Sequence, residues 1–124
     1  MNHLKLAEGE YRFARIVWEN EPLPSGRLVE LSLKELGWKK STTYTVLKKL
    51  VDRGILRNEN AVVSAAVPRE AVLREESRAV VDRAFDGSLP SFLAHFMGGR
   101  TISDQEADEL KAIIDRFREG EGHD

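Results

Sequence analysis

The chain has 124 residues, a net charge of −2 and no cysteine. That length suits one domain, or one domain with an appendage, and the missing thiols exclude disulfides, zinc ribbons, copper(I)–thiolate sites and cysteine nucleophiles. No apolar run reaches the roughly 18 residues of a membrane span, and the first ten residues, MNHLKLAEGE, are too polar and acidic for a signal peptide, so a soluble cytoplasmic protein is expected.

The charge is unevenly placed. Between Trp38 and Arg57, Lys39, Lys40, Lys48, Lys49, Arg53 and Arg57 face only Asp52, a local +5, and the rest of the chain carries −7. From Ser103 onward Asp104, Glu106, Asp108, Glu109, Asp115, Glu119, Glu121 and Asp124 outnumber Lys111, Arg116 and Arg118, a local −5. Such asymmetry suggests a basic face for nucleic acid and an acidic part turned away from it.

In chain order, Leu6 to Asn20 reads as a first helix burying Phe13, Ala14, Val17 and Trp18, with Tyr11 at the edge. Ala7 is a poor cap, although Glu8 and Glu10 suit the positive end of the helix dipole. Glu21-Pro22-Leu23-Pro24 must be extended, because proline restricts itself and its predecessor. Ser25 is a good N-cap for a second helix to Leu36, with Leu28, Val29, Leu31 and Leu33 inward and Gly37 ending it.

The third helix follows a Trp38-Lys39-Lys40 turn, capped by Ser41 or Thr42 and ending at Gly54. Val46, Leu47, Leu50 and Val51 give it one apolar face. Ser41, Thr42, Thr45, Lys48, Lys49 and Asp52 occupy the other. Short hydroxyl side chains and lysines suit a DNA major groove, where hydroxyls and methyls reach base edges and ammonium groups meet phosphates. An ordinary solvated amphipathic helix fits this stretch equally well. Ile55-Leu56-Arg57 and Ala61-Val62-Val63-Ser64, on either side of Asn58-Glu59-Asn60, read as a hairpin. Two helices joined by a glycine turn and followed by a hairpin make a winged helix-turn-helix.

Pro68 opens a fourth helix carrying Val72, Leu73, Val80, Val81, Ala84 and Phe85, stopped by Asp86-Gly87. Ser88 caps a fifth, with Leu89, Phe92, Leu93 and Phe96 at helical spacing. Gly98-Gly99 breaks it, and the capping box Ser103-Asp104-Gln105-Glu106 opens a last helix bearing Ala107, Leu110, Ile113, Ile114 and Phe117. The fold class expected is mostly α: a winged-helix domain with a small β-hairpin wing over residues 1–67, and a C-terminal helical dimerisation arm over 68–124. Apolar side chains without a sheet to cover them, Phe92, Leu93, Phe96, Leu110, Ile113, Ile114 and Phe117, point to a second copy of the chain, whose two-fold symmetry also suits DNA, the alternative being that these helices fold back on their own winged domain.

The segments GWKKSTTYTVLKKLVDRGIL, LREESRAVVDRAFDGSLPSFLAHF and SDQEADELKAIIDRF together resemble the penicillinase/methicillin-resistance repressor family (BlaI/MecI type, with the copper repressor CopY as a relative). The resemblance implies a homodimeric transcriptional repressor binding double-stranded, palindromic operator DNA. The reading helix, Trp38–Arg53, would enter the major groove through Lys40, Ser41, Thr42, Thr45 and Lys48. Lys49 and Arg53 would lie near phosphates, and Thr43 and Tyr44 partly in packing. It also implies induction by a membrane sensor protease pathway that cleaves an asparagine–phenylalanine bond. Here the matching bond is His95-Phe96, so the Asn is not kept. The wing departs too: Asn58-Glu59-Asn60-Ala61 is short and slightly acidic, with no basic tip.

His3, His95 and His123 are too far apart in sequence to suggest a metal site, and no cofactor motif or nucleophile elbow is present, so the chain is expected not to be an enzyme. A winged-helix protein-interaction module without sequence-specific DNA binding is the alternative to the repressor, favoured by the acidic wing and overall charge.

Overall fold

The computed structural model describes residues 4–119, leaving the expectations for His3, His123, Glu121 and Asp124 outside the described residues. The elements are α1 (Glu8–Asn20), β1 (Leu23–Pro24), α2 (Ser25–Leu36), α3 (Lys40–Asp52), β2 (Leu56–Glu59), β3 (Val62–Ala65), α4 (Arg69–Ala84), α5 (Leu89–Met97) and α6 (Asp104–Phe117). The expected winged helix-turn-helix is present, and the chain divides into two compact units at Gly87–Ser88.

In the first unit, α1, α2 and α3 close on a core that includes Phe13, Ile16, Leu28, Leu47 and Leu50. Fully burying each such side chain contributes about 1.5–3 kcal/mol. Trp38, in the turn between α2 and α3, stacks on Phe13 with ring centroids 5.4 Å apart. Gly37 ends α2 at φ 72°, and its N–H donates to Leu33 O at 3.0 Å. That left-handed residue is what lets the chain reverse between the two helices.

The wing differs from a simple hairpin. β1 pairs antiparallel with β3, and β3 with β2, giving the strand order β1-β3-β2. The Leu23-Pro24 connector is extended, as its prolines require, and becomes the third strand. Asn58 and Glu59 are in β2 rather than in the turn. The turn is Asn60-Ala61, both at positive φ (55° and 63°), which closes the two-residue loop between Glu59 and Val62.

Four further expectations are corrected. α1 begins at Glu8 rather than Leu6, with Glu10 Oε1 accepting from Ala7 N–H at 2.8 Å where Ala7 itself offers no side-chain acceptor. Ser25 is not the cap of α2. Pro24 stands there, held extended by β3, and Ser25 N–H donates to Ala61 O at 2.8 Å. That frees the Ser25 hydroxyl to pair with Tyr44 Oη at 3.1 Å. α3 starts at Lys40 with Lys39 as N-cap, so Ser41 and Thr42 lie within its first turn. Leu33 is 59 % exposed, while Ser32 is buried beside Leu28 and Leu31. Positions 28, 31 and 32 share one helical face and position 33 does not.

α4 is tied to this unit at its start. Val72 is fully buried in the core, Trp18 Nε1 donates to Val67 O at 3.1 Å, and Arg69 Nε donates to Tyr11 Oη at 3.1 Å. Leu73 and Val80 of the same helix are exposed. In the second unit, Ser88 Oγ accepts from Ser91 N–H (3.1 Å) and Ser103 Oγ from Glu106 N–H (3.0 Å), the N-caps expected of α5 and α6. Neither helix has a buried residue.

Candidate nucleic-acid interface

α3 has a sharply divided surface. Thr43, Leu47 and Leu50 are buried, and Val46 and Val51 half-buried. Lys40, Ser41, Thr42, Tyr44, Thr45, Lys48, Lys49 and Asp52 are exposed. Ser41, Thr45, Lys48 and Asp52 follow one another at spacings of four, three and four, so they form one solvent-facing row. Thr42, Lys49 and Arg53 belong to the neighbouring row. The hydroxyl and lysine side chains expected to face a ligand therefore share one exposed surface, while Thr43 alone is wholly in packing.

The cations on this surface are not alike. Lys48 Nζ lies 2.9 Å from Asp52 Oδ2, both exposed, a pairing of the i,i+4 kind that contributes little in water. Lys49 Nζ lies 2.6 Å from Glu10 Oε2, and Arg53 Nη1 3.2 Å from Glu10 Oε1. The Glu10 side chain is only 12 % exposed. Arg53 Nη2 also donates to Lys5 O. Burial pushes the Glu10 carboxyl up, but hydrogen bonds from Lys49 and the Ala7 N–H, with the charges of Lys49 and Arg53, outweigh it and hold the group below its ordinary value. Lys39, Lys40 and Arg57 form no ion pair among the described residues.

Between α3 and β2 lies an open cleft of about 390 Å³ lined by Tyr44, Leu47, Lys48, Val51 and Asn58. Tyr44 and Asn58 thus lie next to the exposed face of α3, the first through an exposed ring beside Lys48, the second from the wing. Glu10 is the residue that sequence reasoning missed. It was legible only as a helix-dipole acid, because its partners stand 39 and 43 positions away and no local pattern connects them. In the second unit, Phe96, Ile113, Ile114 and Phe117 are 51, 47, 54 and 63 % exposed, with Phe92, Leu93 and Leu110 half-buried. His95 is exposed in the last turn of α5, its Nδ1 2.8 Å from Ser91 O. Among the described residues no group of side chains is arranged to hold a metal ion, and no helix is long and apolar enough to cross a membrane.

The family model described as "Penicillinase repressor" matches residues 6–116, which takes in both the winged unit and the two C-terminal helices. The chain belongs to the penicillinase repressor family. Similar proteins are the penicillinase repressor of Bacillus licheniformis (19 % identical over 92 % of each chain) and the methicillin resistance regulatory protein MecI of Staphylococcus aureus strain Mu50 (18 % identical over 90 % of this chain and 94 % of that one). The protein of the same name from Mammaliicoccus sciuri is 17 % identical over similar spans. The family consists of regulatory proteins rather than enzymes, and the resemblance carried by the three sequence segments is thereby established over nearly the whole chain.

Proposed function

We propose that the protein is a homodimeric transcriptional repressor that binds a palindromic operator, with α3 laid in the major groove of each half-site. The observation that carries this reading is the division of α3. Its apolar side is locked in the core, and its hydroxyl and lysine side is presented whole to solvent. Lys40, Ser41, Thr42, Thr45 and Lys48 are the contacting residues. No arginine lies on the solvent-facing row, so Lys48 is the one side chain there that could read guanine, and threonine methyls against thymine are the favoured base contacts. Lys49 and Arg53 reach phosphate only by giving up Glu10.

The half-buried and exposed apolar side chains of α5 and α6, Phe92, Leu93, Phe96, Leu110, Ile113, Ile114 and Phe117, supply the dimer contact in this reading. Two copies related by a two-fold axis would present two reading helices about one helical turn of DNA apart. Induction through a sensor protease pathway would act at His95-Phe96. That bond lies inside α5, so the helix must unwind before a protease can take it.

Selection of bound duplexes from random DNA tests the proposal. Enrichment of a palindrome with half-sites about one turn apart is the expected result. No enrichment, with binding insensitive to salt, would favour the protein-interaction module. Within an enriched operator, Lys48→Glu should weaken binding at least about tenfold while the dimer persists, since it reverses a charge facing the groove of a polyanion.

A further inference from the structure

Glu10 places a nearly buried carboxylate against the two cations that flank the reading face. It takes Lys49 at 2.6 Å and Arg53 at 3.2 Å, and it is itself held at the start of α1 by the Ala7 N–H. A lysine contributes to sequence-independent DNA binding by displacing condensed counterions from phosphate, and each such contact adds about one unit to the salt slope. A lysine already neutralised by an internal carboxylate brings less net charge to the duplex, and its pairing must be broken before it meets phosphate. We propose that Glu10 is a specificity-determining residue: an internal counterion that withholds Lys49 and Arg53 from the phosphate backbone of random DNA. It leaves discrimination to the solvent-facing row of Ser41, Thr45 and Lys48. This inference rests on the DNA-binding reading above.

The charge pattern of the patch fits this role. Six cations within twenty residues would give a short reading helix strong affinity for any duplex. Genomes offer a great excess of wrong sites, so the quantity that matters is the ratio of operator to random affinity. An acid in the core-facing flank of the patch lowers the random term without occupying the groove face. Glu10→Gln removes the charge with little change of shape: the amide oxygen can still accept from Ala7 N–H and Arg53, while the amide nitrogen replaces the oxygen that faces Lys49.

The test measures fluorescence anisotropy of the full chain on a random-sequence duplex and on the selected operator, across a salt series. The variants are Glu10→Gln, Lys49→Gln and the two combined. Glu10→Gln should bind the random duplex about three- to tenfold more tightly at 0.1 M salt, as expected for one charge removed within several ångströms of phosphate, with the slope steeper by about one unit. Operator affinity should rise less, so the specificity ratio falls. Lys49→Gln alone should change random binding less than about twofold, yet remove at least half of the gain when added to Glu10→Gln. An unchanged salt slope in a folded Glu10→Gln protein would overturn the inference. So would a full loss of one slope unit from Lys49→Gln alone, and that variant alters only an exposed side chain and is readable even if Glu10→Gln fails to fold. Wild-type protein that binds neither duplex at low salt would instead overturn the DNA-binding reading itself.

Discussion

Ser32 and Thr43 bury their hydroxyl oxygens fully, and neither oxygen has a hydrogen-bond partner among the described residues. A buried hydroxyl left unpaired costs roughly 1–3 kcal/mol relative to one that is paired or replaced by an apolar group. Ser32→Ala and Thr43→Val should therefore raise the midpoint of urea unfolding, each by the equivalent of about 1 kcal/mol. A lower midpoint for both would mean that these oxygens have partners in solution. The opposite tension exists at the wing tip. Ala61 holds φ 63° in a two-residue turn whose second position prefers glycine. Ala61→Gly should stabilise the first unit by about 0.5–1 kcal/mol, because the left-handed conformation costs alanine more than glycine. The carbonyl that accepts from Ser25 belongs to the backbone and survives the change, so any gain reports the turn itself, and a thermal melt is enough to measure it.

At the scale of the element, the link between α1 and α3 depends on ionisation. Glu10 titrates below its ordinary value in the folded protein, so its ion pairs stabilise the fold above the carboxylate's unfolded pKa. That contribution is lost as pH falls through the lower, folded value. Glu10→Gln should lose stability at neutral pH yet show a shallower decline on acidification than wild type. Parallel denaturation series from pH 7 to pH 3 compare the two, and identical acid limbs would remove Glu10 from the account. The contrast between this link and the helix ends shows what a sequence discloses. Gly37, Ser88 and Ser103 act on atoms within a few residues of themselves, and their roles as helix stop and helix caps were readable directly. The apolar face of α3 was readable for the same reason, since its period is local. Glu10 acts across 39 and 43 positions, and β1 across the 40 and 38 that separate Leu23 and Pro24 from Val63 and Val62. No periodicity encodes either. Ser25 was misread because a good cap residue followed an extended segment, and only the pairing of that segment with β3 showed that its N–H had another acceptor.

At the scale of the whole molecule, the two units have unequal means of support. The first has a closed core with fully buried Phe13, Val17, Leu28, Leu50, Ile55, Val63 and Val72. The second has no buried residue in either helix, although its caps are well made. Helices of 9 and 14 residues are marginal in water without packing, so α5 and α6 need a cover that a second copy would supply in the proposed dimer. Replacing Ile113 and Phe117 together by Asp puts two charges into that cover. Sedimentation should then show a monomer, and the helical circular dichroism signal should fall by roughly the share belonging to α5 and α6, while the first unit keeps its thermal transition. Operator affinity should drop about 10²- to 10⁴-fold, the usual return from joining two weak sites. Half-site binding should persist with its salt dependence intact, because α3 and its lysines remain in a folded winged domain. If the double variant stayed dimeric, the contact would have to lie elsewhere. The exposed Leu73 and Val80 on α4 would be the next residues to charge.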